Sequence, residues 1–421
     1  MKGNIFDLVD KIKFENLYEN QNDSIKRYEL LYRKFKDTFD LNPDYVFSSP
    51  GRTELGGNHT DHNNGKVIAG TINLDIIAFV KKTDDNEIIV YSEMYDEPFI
   101  VRIDQTQFNE SEKETSTALI RGIVKRFLDY GYNTRGFKAY ISSNIPSGTG
   151  LSTSAAFEVL IGEILNILYN YGKVDKSTIA IIGKYAENNY FGKPCGLMDQ
   201  LTIAIGGIIN IDFKEIEKPI VKSINYNFKN KGYELLLIDT GGTHADLSKE
   251  YALIPSEMTN VANYFNKTSM RDVRIDDIIE NINGIRKVTG DRAILRSLHY
   301  LQENDRVDRM VEALENDRFD EYLELINQSG NSSFKYLQNC YLDYKPEEQP
   351  ISIALCLTEA FLNRIGVGAC RIHGGGFAGT IQVYIPIEAV KEYKNFIGKC
   401  FGNYSVIPIE IRKDGVAILN R

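Results

Sequence analysis

Apolar side chains recur at helical spacing over residues 24–39, and that spacing predicts an early helix. The rhythm then changes. Residues 44–49 form a short strand-like run stopped by Pro50-Gly51. From 66 to 104 the chain reads KVIAGTINLDIIAFVKK, EIIVYSE and FIVRID, three β-rich runs separated by turn residues. Helical spacing returns at 117–130, and a strand follows at 137–142. Two helices are predicted at 154–171 and 176–191, the second closed by Gly192-Lys193-Pro194. A strand at 207–213 precedes a stretch rich in Lys, Glu and Asn, 214–231, which is the expected domain junction; the division is set at 1–220 and 221–421. Beyond it lie an apolar strand at 233–240, a mostly helical region from 247 to 362, and strands around 368–373, 380–385 and 404–411. Helices and strands come in blocks rather than in strict alternation, so the expected class is α+β and not a doubly wound parallel sheet.

One stretch stands out from this pattern. NIPSGTGLSTSAAF (144–157) sets Gly148 and Gly150 in a tight run behind Pro146 and then opens an apolar-rich helix. Glycines let the backbone turn at positive φ and let another molecule come close. A helix starting right behind them offers unpaired N–H groups and the positive end of its dipole, which together make an anion site suited to a nucleotide's phosphates. No Gly-Lys-Ser/Thr follows, so this is not the usual P-loop. Taken alone, the stretch fits a Gly/Ser turn before an amphipathic helix equally well.

Composition narrows the partners. At 421 residues the chain is too long for one core and is expected to form two or three domains. A net charge of -9 argues against nucleic acid and anionic membranes, which reward basic surfaces. Five scattered cysteines without CxxC spacing fit reduced thiols, and no run approaches signal-peptide or membrane-span length. The expectation is a soluble, cytoplasmic protein.

Three clusters carry chemistry. SSPGRTELGGNHTDHNNG (48–65) gathers Arg52, Glu54, Asn58, His59, Asp61, His62, Asn63 and Asn64 among four glycines, a set that can converge on a ligand with many hydroxyls, such as a sugar. His59, Asp61 and His62 could also ligate a metal, but their spacing matches no common zinc motif. AENNYFGKPCGLMDQ (186–200) offers Glu187 and, twelve residues on, Asp199: one carboxylate to hold Mg²⁺ and a second to accept a proton, as phosphoryl transfer to an alcohol requires. RIHGGGFAGTIQVYI (371–385) places three glycines between strands, either a bulged turn or a point of close approach to a ligand.

Together, the order and wording of these motifs resemble the superfamily of galactokinase, homoserine kinase, mevalonate kinase and phosphomevalonate kinase, and within it most of all the galactokinases. The resemblance spans nearly the whole chain. It implies two domains, each mixing helices with a sheet, around a cleft for a sugar and MgATP. It implies that Gly148, Thr149, Gly150, Leu151, Ser152, Thr153 and Ser154 wrap the ATP phosphates, with Ser154 and Glu187 holding Mg²⁺. Asp199 falls on the catalytic base and Arg52 on the arginine beside it, which stabilises the incipient alkoxide and the transferring group. Asn58, His59, Thr60, Asp61, Gly196 and Tyr251 fall in the sugar-binding segments. The implied reaction is transfer of the γ-phosphoryl group to the anomeric hydroxyl of galactose by direct displacement, in a protein expected to be monomeric.

The departures bear on the substrate. Galactokinases usually read Gly-Glu-His-Thr-Asp-Tyr where this chain has Gly57-Asn58-His59-Thr60-Asp61-His62. A glutamate there would repel a C6 carboxylate and an asparagine would not, which makes galacturonate an alternative substrate. Ala378 replaces a glycine of the GGGFGG motif, His373 lies just before that motif, and the paired arginines usual after Tyr251 are missing. A sensor that binds sugar and ATP without turnover is the alternative of another class, and the joint presence of Asp199, Arg52, Ser154 and Glu187 argues against it.

Overall fold

The longest strand, β2 (Lys66–Lys82), has two halves that serve different neighbours. The structure, a computed structural model of the chain, describes residues 5–19, 21–146, 148–242, 247–377 and 379–420. Along its length β2 runs antiparallel to β1 (Tyr45–Gly56); its first half also pairs with β6 (Ile208–Asp212) and its second half with β5 (Phe137–Ser143). β3 (Glu87–Ser92) joins β5 in parallel, and β4 (Phe99–Arg102) and β7 (Ile220–Ile224) lie beyond β3 and β6.

The near-continuous apolar run of β2 has a physical cause: both faces of the sheet are covered. Ile77 and Phe79 pack with Tyr28, Leu31 and Phe35 of the helix Gln21–Phe39. Ile76, Ala78 and Val80 face the other way, into a larger core that includes Ile120, Val124, Leu160 and Ile164 from the helices Ser116–Asp129 and Thr153–Asn170. The period-2 alternation of a strand thus survives as a choice between two apolar layers.

A second sheet has the order β11 (Val406–Ile409), β8 (Tyr233–Asp239), β10 (Thr380–Pro386), β9 (Ala369–Ile372), antiparallel throughout. Leu236, Ile238 and Val383 meet the helices Pro350–Ile365 and Val390–Phe401 on one face. Between β8 and β9 come the helices Ser248–Tyr264, Ile275–Thr289, Asp291–Glu315 and Phe319–Ser332, the helical block expected at 247–362. The architecture is α+β with two sheets. Among the described residues no helix is long and apolar enough to cross a membrane.

Three boundaries differ from the sequence reading. β1 does not stop at Pro50-Gly51 but continues to Gly56, with shifts of register between Pro50 and Arg52 and between Glu54 and Gly56. Bulges of this kind let a strand pass a proline and re-aim the side chain beyond it. The stretch 214–231 contains β7, which extends the first sheet from β6. Beyond β11 the chain returns to the first sheet, where β12 (Ala417–Ile418) pairs with β1 and Arg412 reaches Ser48 Oγ at 2.6 Å. Ala378 lies outside the described residues.

Candidate active site

The bulge in β1 brings Arg52 under the start of the helix Met198–Ile205, whose first turn carries Asp199. Arg52 Nε donates to Asp199 Oδ1 at 2.6 Å and Nη2 to Oδ2 at 2.7 Å, a two-pronged pair between residues far apart in sequence. Arg52 is 6% exposed, whereas the Asp199 side chain keeps 29% of its surface open. Such a planar fork fixes the carboxylate in one orientation. The glycine loop closes on the same pair: Arg52 Nη1 donates to the Gly150 carbonyl, and the Ser152 hydroxyl donates to Asp199 Oδ2.

The loop itself is built from alternate left-handed residues, Gly148 (φ +75°), Gly150 (φ +70°) and Ser152 (φ +61°). Two of the three are glycine, which bears that conformation without a Cβ penalty. Ser152 is not, and it adopts a conformation that costs a non-glycine residue roughly 1–2 kcal/mol. Its hydroxyl goes to Asp199 and makes no capping bond to the helix Thr153–Asn170, so the helix start behind Thr153 and Ser154 retains uncapped N–H groups. Thr149 is pinned from both sides, its hydroxyl donating to Pro146 O at 2.8 Å and its carbonyl accepting from Thr380 Oγ1 at 3.0 Å. Leu151 is buried and its carbonyl accepts from Arg52 N–H at 3.2 Å.

Beside the loop, Ser154 Oγ donates to Glu187 Oε1 at 3.1 Å, and Lys193 Nζ lies 3.6 Å from the same oxygen. Glu187 begins a π-helical turn, Glu187–Phe191, that ends the helix Lys176–Ala186. Behind it, Gln200 Nε2 donates to Glu187 Oε2 at 3.0 Å and to Glu158 Oε2 at 2.9 Å. Burial, and then the charge of Glu187, raise the Glu158 carboxyl well above its usual range. A hydroxyl and a carboxylate are hard oxygen donors that suit Mg²⁺. Among the described residues no group of three or more His, Cys, Asp or Glu forms a cage, and Mg²⁺ normally completes its shell with water and phosphate oxygens. The donor set fits magnesium held with a nucleotide.

The polar cluster after β1 divides into residues that face the cleft and residues that support it. Asp61 lies against Gly196, where a Cβ would collide with its carboxylate, and burial, then the charge of Asp199, raise its pKa. His59 spends both ring nitrogens on the protein. Its Nε2 sits 2.8 Å from the Gly375 carbonyl and its Nδ1 3.0 Å from His62 Nε2. A carbonyl only accepts, so neutral His59 carries its proton on Nε2, and His62 donates to it. Burial lowers these two rings to about 3 and about 4, which keeps both neutral near pH 7.

Asn58 and Thr60 are fully buried. Asn58 donates to Glu54 Oε1 at 3.1 Å and Gly374 O at 2.7 Å, and accepts from Asn339 Nδ2 at 2.9 Å and Ser333 Oγ at 3.3 Å, so every amide site is engaged inside the protein. The Thr60 hydroxyl lies 2.6 Å from Lys66 O and 2.9 Å from Gly57 O, its one proton shared between the two carbonyls, and pins the loop to the start of β2. Tyr251 donates to Gly376 O at 2.9 Å, its ring packed where a side chain at Gly375 would stand.

Several residues of the site escaped sequence reasoning. Gln200 and Glu158 brace Glu187, and the only signals were a glutamine beside Asp199 and an acid inside an apolar helix. His373, buried, sits 3.1 Å from both Thr53 Oγ1 and Thr380 Oγ1, behind Gly150. Arg371, without exposed surface, donates to Glu54 Oε1 at 2.8 Å and to Glu54 O at 2.9 Å, and nothing in their spacing foretells that pair.

Comparison with known proteins adds to this geometry. Residues 118–207 match the GHMP kinases N terminal domain, and residues 33–82 match the galactokinase galactose-binding signature. A galactokinase of Mannheimia succiniciproducens is 29% identical over 373 residues, covering 88% of this chain and 92% of that protein. One of Clostridium acetobutylicum is 26% identical over 86% of this chain and 91% of its own length. Among solved structures, Lactococcus lactis galactokinase complexed with galactose superimposes with a TM-score of 0.79 at 23% identity, over 92% of this chain and 98% of that one. Methanococcus jannaschii mevalonate kinase does so at 0.60 and 17% identity, over 87% and 98%.

Proposed function

We propose, from its membership of the superfamily of galactokinase, homoserine kinase, mevalonate kinase and phosphomevalonate kinase, that the chain transfers the γ-phosphoryl group of ATP to the anomeric hydroxyl of galactose. The observation that carries the reading is the two-pronged Arg52–Asp199 pair lying directly against the loop of Gly150 and Ser152. An acceptor's base and a donor's phosphate cradle have to stand side by side for in-line transfer, and here they touch.

The chemistry follows from the parts. A sugar hydroxyl is a weak nucleophile near neutral pH, so Asp199 orients it and accepts its proton as the oxygen–phosphorus bond forms. Arg52 holds the carboxylate in register and offers positive charge to the transferring group. The loop from Gly148 to Leu151, with Ser152, Thr153 and the helix start behind them, receives the phosphates on backbone N–H groups. Ser154 and Glu187 hold magnesium, which offsets repulsion between phosphates when bound. Asp61 meets the sugar beside Gly196, His59 ties this loop to the glycine turn through the Gly375 carbonyl, and Tyr251 supports that turn from the far side. Most of the rate comes from alignment of the two substrates.

Galacturonate gains no support from Asn58. Its amide is committed to Glu54, Gly374, Asn339 and Ser333, so the missing carboxylate does not open a pocket for a C6 acid. The test is ADP release with MgATP against galactose, galacturonate and N-acetylgalactosamine. Galactose is expected to drive it and to yield an acid-labile 1-phosphate; no sugar-dependent ADP release would overturn the reading and leave the sensor.

A further inference from the structure

We infer that Gln200 is a positioning residue that fixes Glu187 so that only its Oε1 oxygen meets a divalent cation. The inference rests on Glu187 and Ser154 as the magnesium ligands of the proposed kinase. Gln200 has no exposed surface, and the two hydrogens of its amide nitrogen both go to carboxylates, Glu187 Oε2 at 3.0 Å and Glu158 Oε2 at 2.9 Å. The two oxygens of Glu187 are thereby made unequal. Oε2 is tied into the protein, whereas Oε1 faces Ser154 Oγ at 3.1 Å and Lys193 Nζ at 3.6 Å, on the side of the phosphate loop.

The surrounding helices make this arrangement rigid. Ser154 and Glu158 are four residues apart on the helix that opens at the loop, hence on one face of it. That helix supplies both the partner in front of Glu187 and the brace behind Gln200. Gly183 lets the helix Lys176–Ala186 come close: a Cβ there would stand 3.2 Å from Glu158 Oε2 and 3.3 Å from Gln200 Cγ. Gln200 also follows Asp199 directly, so one helical turn carries both the proposed base and the brace of the proposed metal ligand. Outer partners of this kind commonly alter metal affinity 10- to 100-fold when removed.

The test uses ADP binding to the full chain by calorimetry, with Mg²⁺ and in EDTA. Gln200→Met keeps length and removes the amide; Gln200→Asn keeps the amide but is too short to reach both carboxylates, and is the gentler change if the methionine variant does not fold. Both are expected to bind ADP in EDTA as the wild type does and to lose about tenfold of the affinity that Mg²⁺ adds. A merely structural role would weaken both measurements alike. An undiminished magnesium gain in the folded variants would overturn the inference and leave the kinase reading standing. A wild type that gains nothing from Mg²⁺ would remove Glu187 and Ser154 as metal ligands, and the inference with them.

Discussion

Arg52 illustrates what a single side chain decides. Its two nitrogens meet both oxygens of Asp199, and a third reaches the loop carbonyl of Gly150. Lysine carries the same charge but one nitrogen, so it cannot hold the carboxylate by two parallel bonds. Arg52→Lys is therefore expected to lower kcat by roughly 10²-fold or more while sugar and ATP affinities change little. Asp199→Asn, which cannot accept the proton, should lose about 10²–10⁴-fold in kcat with both substrates still bound. Steady-state kinetics beside calorimetric binding would check both; near-normal turnover in Asp199→Asn removes it from the mechanism. At this scale the motifs singled out Asp199 and Arg52, two residues far apart in sequence that the fold brings into direct contact. For Asn58 the expectation of a sugar-facing amide meets a side chain committed to four buried partners, because no pattern along the chain tells whether a polar side chain faces a cleft or the protein interior.

Among elements, the short segment between the π-turn and the helix Met198–Ile205 leaves little room for change. Gly196 has no room for a side chain, since a Cβ would collide with the Asp61 carboxylate. Gly196→Ala must push Asp61 aside. The expected result is a KM for sugar raised about tenfold, as 1.4 kcal/mol of lost positioning would give, with nucleotide affinity unchanged. Equal loss for both substrates would mean that the whole segment had moved, not Asp61 alone. Long periodic elements were legible: the helix Thr153–Asn170 and the strand Phe137–Ser143 start and stop within a residue or so of where their apolar rhythm does. Elements that depend on remote partners were not. The continuation of β1 past Pro50 rests on pairing with β2, and β12 is a two-residue strand that exists only because the end of the chain reaches β1.

At the scale of the whole molecule, buried ionisable groups tie folding to pH. His373 is 2% exposed, and burial, then repulsion from Arg52 and Arg371, hold its pKa well below the ordinary 6.5. The unfolded chain takes up this proton as pH falls through about 6.5 while the native state refuses it, so the stability His373 contributes is full above that pH and declines below it. The slope approaches roughly 1.4 kcal/mol per pH unit for one such group. Buried acids with raised pKa, Glu54 and Glu158, act in the opposite sense, so the informative quantity is a difference between proteins. His373→Gln keeps an acceptor for the Glu54 N–H and a donor for Thr380, and its urea midpoint is expected to fall less than the wild type's between pH 7.5 and 5.5. Parallel loss in the two proteins would exclude His373 as a linked group.

The same scale governs the contact between β1 and β9. Arg371, in β9 of the second sheet, donates to the side chain and backbone of Glu54 in β1 of the first, with the two side chains 0% and 5% exposed. Gln382 Nε2 adds a bond to the Glu54 carbonyl at 2.9 Å, and Ser329 Oγ accepts from Arg371 Nη1 at 3.1 Å. Desolvation is costly for both charges, and burial alone raises the Glu54 pKa against the pull of Arg371. The pair is thus weak as a source of net stability and strong as a constraint, because removing one partner strands the other. Arg371→Met should cost about 3–5 kcal/mol, and adding Glu54→Gln should recover much of it, since the double variant buries no unpaired charge. Urea unfolding of the two single variants and the double gives the coupling directly. If the double variant is no more stable than Arg371→Met alone, the pair does not act as a unit, and Arg371 must stabilise the contact between the sheets through its bonds to Ser329 and the Glu54 carbonyl instead.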